Sequence, residues 1–158
     1  MPPQPFLNID AIDQTKVIAD REGIQKVNPQ RFEFQQLDGI FCCDHEAGLF
    51  AGFRDLKPDE FWVRGHIPGR PVFPGVLMIE CAAQLFSYFV MTKAQHPGFL
   101  GFGGVDDVKF RGQVVPGERL IMVGKMLEMR GTRRCIGAVQ GFVKGQMVFE
   151  GTITGMVI

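Results

Sequence analysis

His66 and Glu80 stand at the two ends of the stretch GHIPGRPVFPGVLMIE, residues 65–80. A neutral imidazole can take a proton at ordinary pH, and a carboxylic acid kept protonated by burial can give one. Between the two lie Pro68, Pro71 and Pro74 with Gly69 and Gly75, so the connecting chain is stiff at some points and sharply turned at others. Pro74 suits the start of a helix, and a helix beginning there leaves the N–H groups of Gly75 and Val76 unpaired at its positive dipole end. Such donors suit negative charge developing on a carbonyl oxygen. A base, an acid and an oxyanion donor together serve removal of a proton alpha to a carbonyl and expulsion of a beta leaving group. Nucleophilic acyl transfer fits less well: no serine or cysteine in the stretch is paired with a histidine, and Cys81 points about 100° away from Glu80 around the helix.

The plainer reading is a structural histidine and a glutamate serving the helix dipole, which is what most such residues are. Two features weigh against it. Glu80 falls a turn inside the helix among Leu77, Cys81 and Leu85, where burial raises a carboxyl pKa, and His66 is tethered to that same helix by the proline-rich loop.

The elements that must hold these groups follow from the patterning. Residues 76 to about 93, VLMIECAAQLFSYFVMTK, lack helix breakers and predict a helix that QHPG stops. It is apolar almost all round, so other elements must cover it, as a sheet curling about it would. Glu80, Gln84 and Ser87, spaced i, i+4, i+7, form its one polar seam. Upstream, RFEFQQLDGIFCC and AGLFAGFRDL with DHEAG between them predict a strand pair starting at Arg31. Downstream, FLGFGGVDDVKF, ERLIMVGKMLEM, TRRCIGAVQGFV and QMVFEGTITGMVI predict four strands in an antiparallel meander. The proline-rich start predicts an irregular segment and then one short helix ending before Pro29, set apart from function. The fold class is α+β, one domain over residues 1–158 with an extension over 1–28.

Composition narrows the function classes. Hydrophobic residues make up 46% and charged residues 22%, and the formal charge is zero, which argues against a nucleic-acid binder. The balance is local, because residues 109–134 hold Lys109, Arg111, Arg119, Lys125, Arg130, Arg133 and Arg134 against Glu118 and Glu128. That stretch is either a solvated face or a surface for an acidic partner. Cys42, Cys43, Cys81 and Cys135 lack Cys-x-x-Cys spacing and read as reduced thiols. Cys42, Cys43 and His45 sit at a strand end with no second ligand cluster, so no metal site is expected, and the chemistry calls for no cofactor. No basic, apolar leader or uncharged membrane-length window is evident, making a cytoplasmic protein without membrane contact the expectation.

FWVRGHIPGRPVFPGVLMIECAAQ, residues 61–84, closely resembles the signature of the 3-hydroxyacyl-acyl carrier protein dehydratases of fatty-acid synthesis, which have the hot-dog fold. GVDDVKFRGQVVPGERL resembles the strand region that follows, and the likeness runs from about Asn28 to the C-terminus with the His66-to-Glu80 spacing kept. The resemblance implies a long helix wrapped by an antiparallel sheet, two subunits joined in one continuous sheet, and often a trimer of such dimers. It implies that His66 takes the alpha proton of a 3-hydroxyacyl thioester and that Glu80 helps hydroxide leave as water, yielding the trans-2-enoyl thioester. The N–H of Gly75, beside that of Val76, matches the donor to the thioester oxygen, and Gln84 would orient Glu80 or a water. The partner implied is an acyl carrier protein, with His and Glu of one site coming from different subunits. Phe73, Phe86, Phe89, Phe99 and Phe102 are candidates to line an acyl tunnel or simply core, and the basic stretch with Arg64 and Arg70 is a candidate carrier-docking surface.

Three departures stand out: Ile67 where the family usually has phenylalanine, Cys81 where it usually has alanine, and NPQRFEFQQLD, without the usual histidine and proline. They bear on acyl-chain length rather than on the chemistry. Competing activities are a hot-dog thioesterase, a dehydratase that also isomerises its product, and a non-catalytic carrier-binding subunit; the last would be expected to lack His66 or Glu80. Isomerising relatives commonly carry aspartate where Glu80 stands, so the glutamate favours dehydration alone.

Overall fold

The computed structural model describes residues 3–131 and 133–158. Thr132, at the head of one predicted strand, and the first two residues of the extension lie outside them. A short helix α1 (Arg21–Gln25) precedes a hairpin of β1 (Gly39–Asp44) and β2 (Leu49–Asp55). The long helix α2 (Gly75–Ala94) comes next, followed by β3 (Leu100–Phe110), β4 (Arg119–Arg130), β5 (Arg134–Val143) and β6 (Gln146–Val157). All six strands form one antiparallel sheet in the order β1-β2-β4-β5-β6-β3.

This sheet wraps α2, the hot-dog arrangement. The helix starts where Pro74 supplies an extended φ/ψ and ends where Gln95 takes a left-handed conformation at φ 50°, its N–H donating to the Met91 carbonyl. Although α2 is long and apolar enough to cross a membrane, most of it is buried against the sheet. Met78, Cys81, Ala82, Leu85, Phe86, Phe89 and Val90 meet Phe50, Leu120, Met122, Val139 and Ile153 in the main core. Burial of this kind stabilises by roughly 25 cal/mol for each Å² of apolar surface removed from water.

Strand alternation divides the molecule into two faces. On β2 and β4, Phe50 and Met122 point toward α2, while Ala51, Phe53, Ile121 and Val123 form a second cluster on the outer face with Phe41 and Phe142. Phe6, Leu7, Ile9 and Ile12 of the N-terminal segment cover that cluster. Gln140, 1% exposed, clamps the segment: it accepts from the Phe6 N–H at 2.9 Å and donates to the Gln4 carbonyl at 3.0 Å. The irregular segment that the sequence predicts is thus docked against the sheet.

Two further expectations are corrected. The strand pair does not start at Arg31; Phe32–Phe34 form a 3₁₀ turn and the strand begins at Gly39. The four later strands are not a simple meander either. Only β4, β5 and β6 follow that pattern, while β3 pairs with β6 at the far edge and β2 takes the place beside β4.

Candidate active site

His66 lies in the loop between β2 and α2. Its backbone N–H donates to the Trp62 carbonyl at 2.8 Å, and its Nδ1 lies 2.8 Å from the carbonyl oxygen of Val72. A carbonyl only accepts, so Nδ1 carries a proton, and it is Nε2 whose lone pair the neutral ring offers to a substrate. The next residue, Ile67, has φ 62°. That is the left-handed region, strained for a β-branched side chain, and such strain collects where a neighbouring group must be held in place.

Past Pro74 the helix begins. The Leu77 and Met78 N–H groups donate to the Pro74 carbonyl, and among the described residues the N–H groups of Gly75 and Val76 have no acceptor. Gly75 lets the Phe110 ring lie close to the helix start: a Cβ there would come within 2.9 Å of that half-exposed ring, which would have to shift.

One turn on, Glu80 is held from a single side. Gln84, 1% exposed, donates from Nε2 to Glu80 Oε1 at 2.8 Å and to the Phe34 carbonyl at 2.8 Å. Its own Oε1 accepts from the Gln36 N–H at 2.9 Å and the Leu37 N–H at 3.3 Å, which fixes the amide's orientation. Burial pushes the Glu80 carboxyl above its ordinary value, and the Gln84 donor opposes this only in part. Asn28 braces the same helix, donating to the Gln84 carbonyl at 2.9 Å and accepting from the Ser87 hydroxyl at 3.2 Å.

Glu80 and Gln84 face a cavity of about 210 Å³ whose walls include Ser87, Phe99, Phe102 and Thr154. His66, Gly75 and Val76 do not line it. Within one chain the structure therefore brings Glu80 and Gln84 together and leaves His66 outside their cavity. Of the five phenylalanines singled out, Phe99 and Phe102 line that cavity, whereas Phe73, Phe86 and Phe89 are core. Pro29 and Gln30, directly after the N-terminal segment that the sequence set apart from function, line it too. Gln36 and the backbone around it were also missed; the signal was an adjacent pair of glutamines, Gln35 and Gln36, both buried.

The other candidates divide. In the basic stretch, Arg111 pairs with Glu150, Arg119 with Asp55 and Arg130 with Glu128, while Lys109, Lys125, Arg133 and Arg134 are exposed, as are Arg64 and Arg70. His45 Nε2 lies 3.1 Å from both the Phe89 carbonyl and the Thr92 hydroxyl, a structural role. Burial pushes the thiols of Cys43 and Cys81 up to about 12, so neither is a ready nucleophile.

Residues 28–152 match the profile of the FabA-like domain. A 3-hydroxyacyl-[acyl-carrier-protein] dehydratase FabZ of Moorella thermoacetica is 35% identical over 136 residues, covering 85% of this chain and 93% of the relative. Another FabZ, from Clostridium botulinum, is 34% identical over 133 residues, covering 83% and 90%. The chain belongs to the 3-hydroxyacyl-[acyl-carrier-protein] dehydratase family. It is accordingly an enzyme of the hydro-lyase class. Solved structures agree on the fold of this dehydratase: the dehydratase heterocomplex ApeI:P from Xenorhabdus doucetiae superposes with a TM-score of 0.72 at 12% identity, covering 85% of this chain and 90% of that one. A putative thioesterase of Ralstonia eutropha superposes at 0.61 and 17% identity, covering 75% and 83%.

Proposed function

We propose that this dehydratase converts 3-hydroxyacyl-[acyl carrier protein] to the trans-2-enoyl thioester, in a site to which one chain contributes His66 and its partner contributes Glu80. The observation that carries the reading is the state of the two side chains. The Val72 carbonyl engages His66 Nδ1 and leaves Nε2 to face the substrate, while burial raises the Glu80 pKa and so favours the protonated form that can donate.

His66 Nε2 takes the proton from Cα, and the electrons of that C–H bond form the Cα=Cβ bond as the Cβ–O bond breaks. Glu80 gives its proton to the departing hydroxide, so water leaves. Imidazolium and carboxylate remain, and passing the proton between them through solvent restores the starting state. Charge building on the thioester oxygen during proton removal meets the N–H of Gly75 at the positive end of α2, with that of Val76 beside it.

Sharing between chains is supported by what His66 does not reach and by the sheet's edge. His66 is absent from the Glu80 cavity, and β3 is an outer strand with Phe102 and Phe110 half exposed, a liability unless another strand covers it. Lys109, Lys125, Arg133 and Arg134 offer positive charge for an acidic carrier protein, in a fatty-acid pathway that makes or extends acyl chains. The test is to supply 3-hydroxyacyl-carrier thioesters of several lengths and follow conjugated enoyl formation beside free thiol. Enoyl formation without thiol release is expected; thiol release without enoyl would overturn the reading in favour of a thioesterase.

A further inference from the structure

The proposed base and acid are tied together within each chain by a residue the mechanism does not use. Arg54 lies on the inner face of β2 and is 4% exposed. Its NH2 group donates to Glu60 and, at 3.2 Å, to Gln36 Oε1, while NH1 donates to the Asp55 carbonyl at 3.0 Å and lies 3.5 Å from Asp38 Oδ2. Its guanidinium sits over the ring of Phe73, 5.4 Å from the centroid. Nε alone is left without a partner among the described residues.

Two of these contacts, with Glu60 and Phe73, fall on the two legs of the loop that carries His66. Glu60 stands where the loop leaves the sheet, its other oxygen accepting from the Lys57 N–H at 2.7 Å. Phe73 stands where the loop enters α2, packed on Trp62, whose carbonyl accepts from the His66 N–H. Val72, which holds His66 Nδ1, is the residue before Phe73. The contact with Gln36 runs the other way: Gln36 donates from its backbone to Gln84, and Gln84 donates to Glu80.

We infer that Arg54 is a positioning residue for the reaction, one planar cation that sets the His66 loop through Glu60 and Phe73 and the Gln84–Glu80 pair through Gln36. A guanidinium can do this because it presents several donors in a rigid fork and a flat face for stacking; a lysine ammonium reaches only part of the set. The inference rests on the proposed function above, since it assigns Arg54 to groups that matter only if His66 and Glu80 react.

The test compares Arg54→Met and Arg54→Lys with Phe53→Ala, a lesion in the outer-face cluster, in hydration of a crotonyl thioester. Temperatures are chosen where circular dichroism shows each variant folded. Displacements of about 1 Å cost on the order of 10²-fold. Both Arg54 variants are therefore expected to lose about tenfold to a hundredfold in kcat with KM within about threefold, while Phe53→Ala lowers Tm and keeps kcat. Slowed proton abstraction also requires that the deuterium isotope effect at Cα, read in the dehydration direction with a 2,2-dideuterated 3-hydroxybutyryl thioester, be at least as large as in the parent. Retained kcat in the folded Arg54 variants, a smaller isotope effect, or a parallel kcat loss in Phe53→Ala overturns the inference. Should neither Arg54 variant fold, Gln36→Met and Glu60→Gln cut one branch each, and full kcat in both overturns it. An inactive parent enzyme is a different failure: it removes the proposed function itself, and the inference with it.

Discussion

At the residue scale, the two candidate reacting groups are prepared in opposite ways. His66 is set by one strong acceptor, the Val72 carbonyl, and Glu80 by desolvation against one donor, Gln84. A positioned acid or base contributes about 10²–10⁴-fold, so His66→Ala and Glu80→Gln should each lower turnover by that range with the fold intact, measured as hydration of a crotonyl thioester. The Glu80 shift also has a stability consequence. Its folded pKa lies above the ordinary 4.5, so its favourable contribution is complete below 4.5 and is lost as pH rises through the folded value. The Tm of Glu80→Gln should therefore gain on that of the parent as pH rises from 4 toward neutrality, and an unchanging Tm difference would show that Glu80 is not buried as a neutral acid. Ile67 makes a second test. A left-handed backbone costs about 1–2 kcal/mol in a β-branched residue, and the side chain is half exposed, so Ile67→Gly should raise stability by about 1 kcal/mol in urea unfolding while lowering kcat as the loop loosens.

Elements were legible in the sequence where a periodic pattern met a real interior. The predicted helix over 76–93 and the observed Gly75–Ala94 nearly coincide, because Pro74 and Gln95 punctuate an uninterrupted apolar run. The hairpin and the four later strands were equally readable, as was the pairing of Glu80 with Gln84 at i, i+4. RFEF misled because its alternation has no buried face: Phe32 and Phe34 are 83% and 60% exposed, and the chain turns there instead. The partner of β3 could not be read, since alternation announces a strand but not the edge that accepts it. The docked N-terminal segment was hidden for a related reason. Phe6, Leu7, Ile9 and Ile12 follow no repeat, and their place is decided by an apolar outer face built from β1, β2, β4 and β5. Loss of the Gln140 clamp removes the bonds to the half-buried Phe6 N–H and the Gln4 carbonyl, so Gln140→Leu should cost about 1 kcal/mol in urea unfolding and leave kcat unchanged. A kcat loss there would link the segment to the site.

On the scale of the whole molecule, the two proposed reacting groups of a single chain do not line one cavity. His66 and the α2 start lie outside the cavity that Glu80, Gln84 and Thr154 line, and the outer edge of β3 is open to a second copy. The direct test is a mixed dimer of His66→Ala and Glu80→Gln chains, co-expressed with different tags and purified through both. In a two-fold dimer with shared sites, one site receives both lesions and the other neither, so activity per dimer should return to about half that of the parent enzyme. Activity no higher than that of either variant alone would contradict a site built from His66 of one chain and Glu80 of the other.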